Sequence, residues 1–433
     1  MADNTSSSPS AASRRVVITG FGATTCIGSN AKETWESMRE GRCGLSVYDN
    51  EPFIRYADNW QTTIGGQVRD LSLEGVLEHR EAKRLDRVTQ LGMAAAAEAI
   101  THSGIDFAKE RSNRCGVVIG TGIGGIETIE QAVNTLRDRG PTRLNVFTVP
   151  RLMANATTGA VSIHYGLEGP ASCHATACAS AGHAFGDAMA YIRSGMCDVM
   201  ITGGAEAALT PLCLAAFGVM KAMSTRNDAP EKASRPFDQN RDGFVLAEGA
   251  SVFVLESLEH AQARGATIYA ELVGFGNSSD AHHITAPHAE GAGAARSMKW
   301  ALEDAGLETT DIDYINAHGT STPLGDEAEL KGVMEVFGDH AKKTSERHLL
   351  MSSTKSVHGH ALGASGAVEM IACLHAVRDG VVPPTINLDN PIEGCEVDLV
   401  AHESRERPVK YALNNTFGFG GHNTSLILKR FED

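Results

Sequence analysis

The sequence predicts an α/β fold of two related halves, stacked as five alternating layers, α-β-α-β-α. Apolar, strand-like runs alternate with helical stretches along the chain, a pattern typical of sheets covered by helices. Strand motifs of the first half return in the second, as in VVITGFG (16–22) and AELVGFG (270–276). Each half also has a helix of small residues that is apolar on every side, and such a helix is normally buried. Two buried helices between two sheets give the five layers.

Length and composition set the scale of the protein. The chain has 433 residues, 42% hydrophobic and 21% charged, which is typical of a globular protein with two fused α/β units. We expect a disordered polar tail at 1–13, a first half at 14–265 and a second half at 266–433. Asp and Glu outnumber Lys and Arg by 53 to 38, so the net charge of −15 argues against nucleic-acid binding. No apolar stretch is long enough to insert in a membrane, and nine cysteines without a CxxC pair indicate reduced thiols in the cytoplasm.

The repeat orders the remaining elements. In the first half, CGVVIGTGIGG (115–125) predicts a strand and a glycine turn, and a small-residue helix follows ATACAS. In the second half, IDYINAHGTST (312–322) is the matching strand and turn, and GASGAVEMIACLHAVRDG (363–380) is the matching helix. The first half is longer, which predicts insertions around 40–85 and 126–160.

Cys178 stands where the first small-residue helix begins. A thiol at a helix N-terminus meets the positive end of the helix dipole, which favours the thiolate, and free backbone N–H groups there can hold an oxyanion. A buried free cysteine is equally typical of a hydrophobic core. The position alone therefore leaves a nucleophile and a core residue as equal alternatives.

Three other motifs carry reactive side chains. His318 ends a strand in NAHGTSTPLGD, where α/β folds bind ligands, although a turn histidine is the plainer interpretation. Lys355 and His360 precede the second small-residue helix in STKSVHGH, and Glu369 within that helix is a natural partner for a buried lysine. FGFGG (417–421) is either a plain hairpin or a gate whose backbone completes an oxyanion hole. A cysteine combined with histidines indicates acyl transfer through a thioester.

Weaker signals point to no cofactor or metal. GFGATTCIG and GTGIGG contain glycines like those of dinucleotide-binding loops, but they lack the required spacing or the later acidic residue. The histidine pairs at 282–283 and 358–360 lie in no CxxC or HExxH context, so we expect polar loop histidines rather than a metal site.

Together the motifs resemble those of the elongating β-ketoacyl-acyl-carrier-protein synthases, and they are most similar to the type II synthases. The similarity runs from about residue 16 onward through ATACAS, STRND, ASRPFD, RDGFVLAEGA, NAHGTSTPLGD, STKSVHGH, PPTINLDNP and TFGFGG, in that order. The resemblance implies a thiolase-like fold, a homodimer and acyl carrier protein as partner. It also implies condensation of malonyl-carrier, with loss of carbon dioxide, onto an acyl chain, which elongates fatty acids by two carbons without a cofactor.

The resemblance also assigns roles by position. Cys178 would hold the acyl chain as a thioester, and His318 and His360 would donate hydrogen bonds to the malonyl enolate. Lys355, paired with Glu369, would position and polarise the two histidines. The other implied positions are the oxyanion-hole N–H groups of Cys178 and Phe419, the gate Phe419, the pantetheine-binding Thr320 and Thr322, the pocket-limiting Ile123, and the carrier-docking Arg80, Lys83, Arg84, Arg143 and Lys221.

Three positions depart from the residues usual in that family. Ala181 stands in place of Gly, and His358 and His422 each stand in place of Thr. These departures leave the predicted catalytic set intact and bear on chain-length preference and on the gate.

Related enzyme classes differ in their catalytic residues. A thiolase needs a second cysteine in its C-terminal glycine loop, and FGFGGHN has none. An initiation-type condensing enzyme combines Cys and His with Asn instead of a second His and a Lys. A cysteine hydrolase would need a positioned water, for which no residue is evident. A polyketide-type ketosynthase shares the histidine pair and remains the alternative, whereas its non-catalytic partner subunit lacks the cysteine.

Overall fold

The computed structural model of the chain describes residues 14–48 and 59–432, so the tail expected at 1–13 lies outside the described residues. The strands are β1 (Val16–Thr25), β2 (Ser46–Val47), β3 (Ile64–Gly65), β4 (Cys115–Gly120), β5 (Ala171–Ser172), β6 (Val199–Glu206), β7 (Gly249–Ser257), β8 (Ala270–Ser279), β9 (Tyr314–Asn316), β10 (Leu350–Ser352), β11 (Val381–Val382), β12 (Arg405–Glu406), β13 (Tyr411–Gly418) and β14 (His422–Lys429). The helices are α1 (Ala31–Glu40), α2 (His79–Ala82), α3 (Arg87–Ser103), α4 (Ile126–Arg139), α5 (Thr148–Leu152), α6 (Ala156–Tyr165), α7 (Ser180–Arg193), α8 (Pro211–Val219), α9 (Leu258–Ala263), α10 (Ala292–Ala305), α11 (Pro323–Phe337), α12 (Lys355–His358) and α13 (Ser365–Asp379).

The strand order reproduces the duplication that the sequence predicts. A ten-stranded sheet has the order β10-β9-β13-β14-β8-β1-β7-β6-β4-β5. In each half, two antiparallel pairings lead to three parallel strands: β1-β7-β6 and then β6-β4-β5, against β8-β14-β13 and then β13-β9-β10. The two predicted sheets have five strands each, and they are joined at one edge because β1 pairs with β8 over residues 16–18 and 270–272.

Helices cover the sheet in the five layers that the sequence predicts. The small-residue helices α7 and α13 contact each other in the centre, where α7 packs on β4 and β6 and α13 packs on β9 and β13. Their residues form one buried core together with strand side chains of both halves. On the outer faces, α3 packs on β1 and β7 and α10 packs on β8 and β14, each over a core of its own.

The central helices need small side chains because their backbones lie very close to the strands of the sheet. A methyl group added at Gly182 of α7 would lie 2.0 Å from Thr424 Oγ1 on β14. Both helices end where the sequence predicts, just before Gly195 and Gly380, which have φ values of 75° and 70°. Glycine suits these positions because left-handed backbone is unfavourable for other residues.

The first half carries the insertion predicted at 126–160, which folds as α4, α5 and α6. The insertion predicted at 40–85 is described only in part, because residues 49–58 lie outside the described residues. Among the described helices, none combines the length and the apolar character required to cross a membrane. All nine cysteines are free thiols.

Candidate active site

Each central helix is preceded by a tight 3₁₀ turn, and these two turns bring the site together. Residues 177–179 lead into α7 and residues 362–364 lead into α13. The first residue of each turn has left-handed backbone, with φ 51° at Ala177 and φ 42° at Leu362. Such a conformation is strained for a residue with a side chain, so the surrounding structure must hold both turns in place.

Cys178 lies in the first turn and His360 reaches its thiol from the other half. The Cys178 Sγ lies 2.9 Å from His360 Nε2, and His360 Nδ1 lies 2.8 Å from the Ser365 hydroxyl. When Nδ1–H donates to that hydroxyl, the Nε2 lone pair faces the thiol and can accept its proton. The predicted cysteine and histidine are therefore brought together in a pair that can transfer a proton.

His318 and Lys355 complete the reactive group. The His318 and His360 ring centroids are 5.4 Å apart, and Lys355 Nζ lies 3.5 Å from His318 Nδ1. Because an ammonium group only donates, Nδ1 of His318 accepts and its proton lies on Nε2. Lys355 is fully buried and forms an ion pair with the equally buried Glu369. The lysine thus fixes His318 as an N–H donor.

Burial sets the protonation states of the reactive group. It lowers the pKa of His318 and of His360 well below the usual value, and the nearby Lys355 ammonium acts in the same direction, so both rings are neutral. Burial raises the pKa of the Cys178 thiol to about 12, although Lys355 and the backbone N–H of Phe419 oppose the shift. The expectation that the helix end favours a thiolate is wrong for the resting enzyme, because desolvation outweighs the favourable groups. The thiol therefore needs a proton acceptor, and His360 is in place.

Two buried carboxylates that sequence reasoning missed hold the loops of the site. Glu329 on α11 accepts hydrogen bonds from the backbone N–H groups of His318 and Gly319, at 2.8 and 2.7 Å. Glu206 at the end of β6 accepts from Gly122 N at 2.6 Å and from Gly363 N at 3.0 Å, which links the two halves. An acidic residue within the otherwise apolar run ITGGAEAAL was the signal available for Glu206.

A cavity of about 450 Å³ opens onto these groups. Its apolar wall beside Cys178 includes the predicted pocket residue Ile123 together with Phe217, Phe244 and Leu362. Its polar side includes the predicted Thr320 and Thr322, whose hydroxyl oxygens are 3.0 Å apart. Lys355 and Glu369 are not among its lining residues. The cavity can thus hold an apolar chain on one side and a polar ligand on the other.

Phe419 stands at the mouth of the cavity with 36% of its surface exposed. Gly420 and Gly421 follow it with φ values of 84° and 76°, as the predicted glycine turn between β13 and β14 requires. The turn is attached to the loop at 280–288, since Gly420 N donates to Ile284 O at 2.8 Å and Asp280 N donates to Gly421 O at 2.9 Å.

The positions named for carrier docking and the departures from the family are placed as follows. Arg80, Lys83, Arg84, Arg143 and Lys221 are all exposed, and Lys221 lies at the cavity, so docking stays a prediction. Ala181 is fully buried in α7, His358 is buried with Nε2 3.1 Å from Thr354 Oγ1, and His422 lies 6.3 Å from the His183 ring.

Within residues 14–48 and 59–432, Cys178, His318 and His360 are the sole group of His, Cys, Asp or Glu side chains close enough together to hold a metal ion. Their ligand atoms lie within 4.8 Å of one another. The Lys355 ammonium, 3.5 Å from His318, opposes a second cation at this point.

Comparison with known proteins identifies the family of the chain. The family models "Beta-ketoacyl synthase, N-terminal domain" and "Beta-ketoacyl synthase, C-terminal domain" match residues 13–261 and 269–389. The chain is 46% identical to 3-oxoacyl-[acyl-carrier-protein] synthase 2 of Vibrio harveyi and 45% identical to the protein of the same name from Staphylococcus aureus (strain COL). Each alignment covers 97% of this chain and 99% of the relative.

Solved structures confirm the thiolase-like fold of ketosynthases. A beta-ketoacyl synthase from Burkholderia phymatum STM815 superposes with a TM-score of 0.88 at 35% identity, over 97% of this chain and 100% of that one. A type II PKS ketosynthase, solved in complex with its acyl-carrier protein and bound to the hexaketide, gives a TM-score of 0.88 at 32% identity over the same shares. With both halves matched and relatives aligned over nearly the full length, the chain belongs to the β-ketoacyl synthase family, as its motifs predict.

Proposed function

We propose that this chain is a 3-oxoacyl-acyl-carrier-protein synthase that elongates fatty acids by decarboxylative condensation. The observation that carries the proposal is the convergence of one thiol and two neutral imidazoles from opposite halves on a single cavity, with Cys178 Sγ 2.9 Å from His360 Nε2. The curated relatives, at 45 to 46% identity, support fatty-acid elongation as the pathway.

The first step moves an acyl chain from its carrier to Cys178. The sulfur attacks the thioester carbonyl while its proton passes to His360 Nε2, and the carrier thiolate leaves and takes that proton. The backbone N–H groups of Cys178 and Phe419 stabilise the oxyanion, and loss of one such donor typically costs about 3 kcal/mol. Because burial raises the pKa of the thiol to about 12, formation of a neutral thioester also avoids a buried thiolate.

The second step joins malonyl-carrier to the acyl chain. The malonyl carboxylate leaves as carbon dioxide, and the electrons of the broken carbon–carbon bond form an enolate. The enolate oxygen accepts hydrogen bonds from the N–H groups of His318 and His360. The enolate carbon attacks the acyl carbonyl, the bond to Cys178 breaks, and the released thiolate takes one proton from water. His360 must donate here, so its Nδ1 then accepts from Ser365, 2.8 Å away. A hydroxyl can donate or accept, which lets Ser365 support both steps.

The remaining groups of the site position these reactants. Lys355, held by Glu369, keeps the His318 proton on Nε2. The Thr320 and Thr322 hydroxyls bind the pantetheine arm of the carrier, Ile123 limits the acyl pocket, and Phe419 acts as the gate at its mouth. The reaction needs no cofactor, since every proton and electron pair comes from the substrates, the protein or water.

Acyl carrier protein is the partner that this chemistry needs. An acidic carrier must find a local basic surface on a chain with net charge −15. The exposed cations Arg80, Lys83, Arg84, Arg143 and Lys221 would supply it, and Lys221 lies at the cavity mouth. The structural relative solved with its acyl-carrier protein supports this partner. Nine free cysteines accord with a cytoplasmic location.

A second copy of the chain would cover the outer edge of the first half. The sheet ends at β5, where Ala171 is exposed, and unpaired strand edges normally need protection. Near this edge in sequence, Val146 and Ile163 are 86% and 85% exposed, and Val149 and Met153 are also exposed. These exposed apolar side chains support the homodimer, since Ile163 lies on α6, a helix that contacts β5.

Incubation with acyl-carrier alone, followed by peptide mapping by mass spectrometry, tests the proposal. We expect the acyl group on Cys178, and after malonyl-carrier is added we expect carbon dioxide and a 3-oxoacyl product longer by two carbons. Cys178→Ala should give no acyl adduct at this position and no 3-oxoacyl product, whereas Cys197→Ala, which changes a buried cysteine outside the cavity, should behave as wild type. An acyl group on any other residue would contradict the proposal. Products with several uninterrupted keto groups would favour the polyketide-type alternative.

A further inference from the structure

The two turns before the central helices can be aligned residue by residue, and the alignment shows a difference at His183. Ala177 and Leu362 share left-handed backbone, and Ser180 and Ser365 are the first residues of α7 and α13. In this alignment Cys178 corresponds to Gly363. Three residues further on from each serine, His183 stands in the first half and Val368 in the second. The first half therefore has a polar ring where the second half has an apolar side chain.

His183 contacts the turn on both sides of the strained residue. Its Nδ1 lies 2.9 Å from Thr176 Oγ1 and 3.1 Å from the carbonyl oxygen of Ala179. Thr176 and Ala179 flank the reactive Cys178, whereas the second half has Ala361 at the position of Thr176. At the matching positions of the second half, the side chains of Ala361 and Val368 have no polar atoms and cannot form these two contacts.

Burial lowers the pKa of His183. Hydrogen bonds to Ala179 and to the Asn277 side chain act in the opposite direction but are weaker. The groups facing the ring are the His174 and His422 rings, with centroids 5.7 and 6.3 Å away. The neutral ring donates from Nδ1 to Ala179 O and lies within hydrogen-bonding distance of Thr176. It thus joins the residue before the turn to the residue at its end.

We infer that His183 is a positioning residue for the nucleophile. Its Nδ1 holds Thr176 and Ala179 so that the Cys178 thiol stays beside His360 and the Cys178 N–H stays directed at the oxyanion. The second turn needs no such contact, because Gly363 has no side chain to aim and its N–H is bound by Glu206 at 3.0 Å. This inference rests on the proposed function.

His183→Val, which copies Val368, is the decisive variant. We expect the rate constant for acylation of Cys178 at saturating acyl-carrier to fall about tenfold or more, with little change in KM, because the reacting atoms are displaced. His183→Asn keeps a donor near Nδ1 and should restore most of the rate. Thr176→Val, which removes only the hydroxyl, should give an intermediate loss.

Malonyl decarboxylation in a Cys178→Gln background is the control readout, since it depends on His318 and His360 and not on the thiol. It should change less than about twofold when His183→Val is added, because those histidines belong to the other half. Parallel loss of decarboxylation and thermal stability would make His183 merely structural and overturn the inference. Wild-type acylation by His183→Val would also overturn it.

Alkylation of Cys178 by iodoacetamide separates this inference from the proposed function. If wild type forms no acyl-Cys178, the proposed function fails, while slower alkylation of Cys178 in His183→Val and recovery in His183→Asn still support positioning. Equal alkylation rates in all three proteins would reject the positioning role whatever the physiological substrate is.

Discussion

The two 3₁₀ turns have matching backbone N–H groups, and a carboxylate occupies only one of them. In the second half, the N–H of Gly363 is bound by the Glu206 carboxylate from the last residue of β6. In the first half, Gly418, the last residue of β13, stands at the matching place beside the N–H of Cys178. A carboxylate fills one turn permanently, and a glycine leaves the other turn open for a transient oxyanion.

This difference shows how a duplicated fold acquires one active site. The turn of the second half has a structural role, because Glu206 connects Gly122 to Gly363. In the proposed function, the same turn geometry has a chemical role in the first half. The imidazole that faces the Cys178 thiol comes from the second half, since His360 lies just before the turn at 362–364. Each half thus supplies what the other lacks, and neither half alone contains the whole site.

Gly418→Glu copies Glu206 into the first half and should break the comparison most severely. Its carboxylate would compete for the N–H of Cys178 and repel the oxyanion, so we expect no measurable condensation. Gly418→Ala is the matched, uncharged variant: its methyl group would lie 3.0 Å from Cys178 N, and we expect a loss in kcat of about 10² to 10³, as for an impaired oxyanion donor. Steady-state kinetics with acyl- and malonyl-carrier measure both effects. Unchanged kcat in Gly418→Ala would show that this N–H does not hold the oxyanion.

Lys355→Met tests the supporting role of the second half. The substitution leaves the buried Glu369 without its cation, and breaking a buried ion pair typically destabilises a protein by about 3 to 5 kcal/mol. Urea unfolding measures this cost. Malonyl decarboxylation in the Cys178→Gln background should also fall, because His318 loses the hydrogen bond from Lys355 Nζ. Lys355→Met combined with Glu369→Leu removes both charges and should recover stability without recovering decarboxylation. Recovery of both would show that Lys355 has no role beyond balancing Glu369.

Much of this site was predictable from the sequence because its residues lie in turns with distinctive composition. Cys178, His318, Lys355 and His360 each stand beside glycine or small residues at the end of an element, where α/β folds place their ligands. Glu206 and Glu329 were not predictable as site residues, because their role is to accept backbone N–H groups that sequence alone does not locate. The state of Cys178 was predicted wrongly for the same reason, since burial depends on the packing of both halves.

Gly182→Ala and Gly366→Ala compare the two central helices at adjacent points of their packing. At Gly182 the added methyl group would lie 2.0 Å from Thr424 Oγ1, and overpacking of this kind costs about 1 to 3 kcal/mol. At Gly366, where the first half has Ala181, the nearest atom would be Thr416 Cγ2 at 3.1 Å. We expect Gly366→Ala to change the free energy of unfolding by less than about 1 kcal/mol, since small shifts relieve the contact. Equal losses in urea unfolding would show that the helices are packed alike.

The last strands of the two halves, β7 and β14, carry different side chains at their ends. This difference should have the smallest effect on stability of those compared. In β7 of the first half, Glu256 binds His260 and Arg264, and His260 also binds Glu110 at 2.9 Å. At the position matching Glu256, β14 has Lys429, whose ammonium group cannot accept hydrogen bonds. The first half therefore has a pH-dependent contact that the second half lacks.

His260 should stabilise the protein in mildly acidic solution and less in alkaline solution. Hydrogen bonding to Glu256 raises the pKa of His260 from 6.5 to about 8, so folding favours the protonated ring. Its contribution is full below pH 6.5 and is lost as the pH rises through 8. Thermal unfolding of wild type and His260→Gln between pH 6 and pH 9 should therefore show a small Tm difference that closes as the pH rises. A difference that stays constant over this range would mean that the imidazole acts through packing and not through its charge.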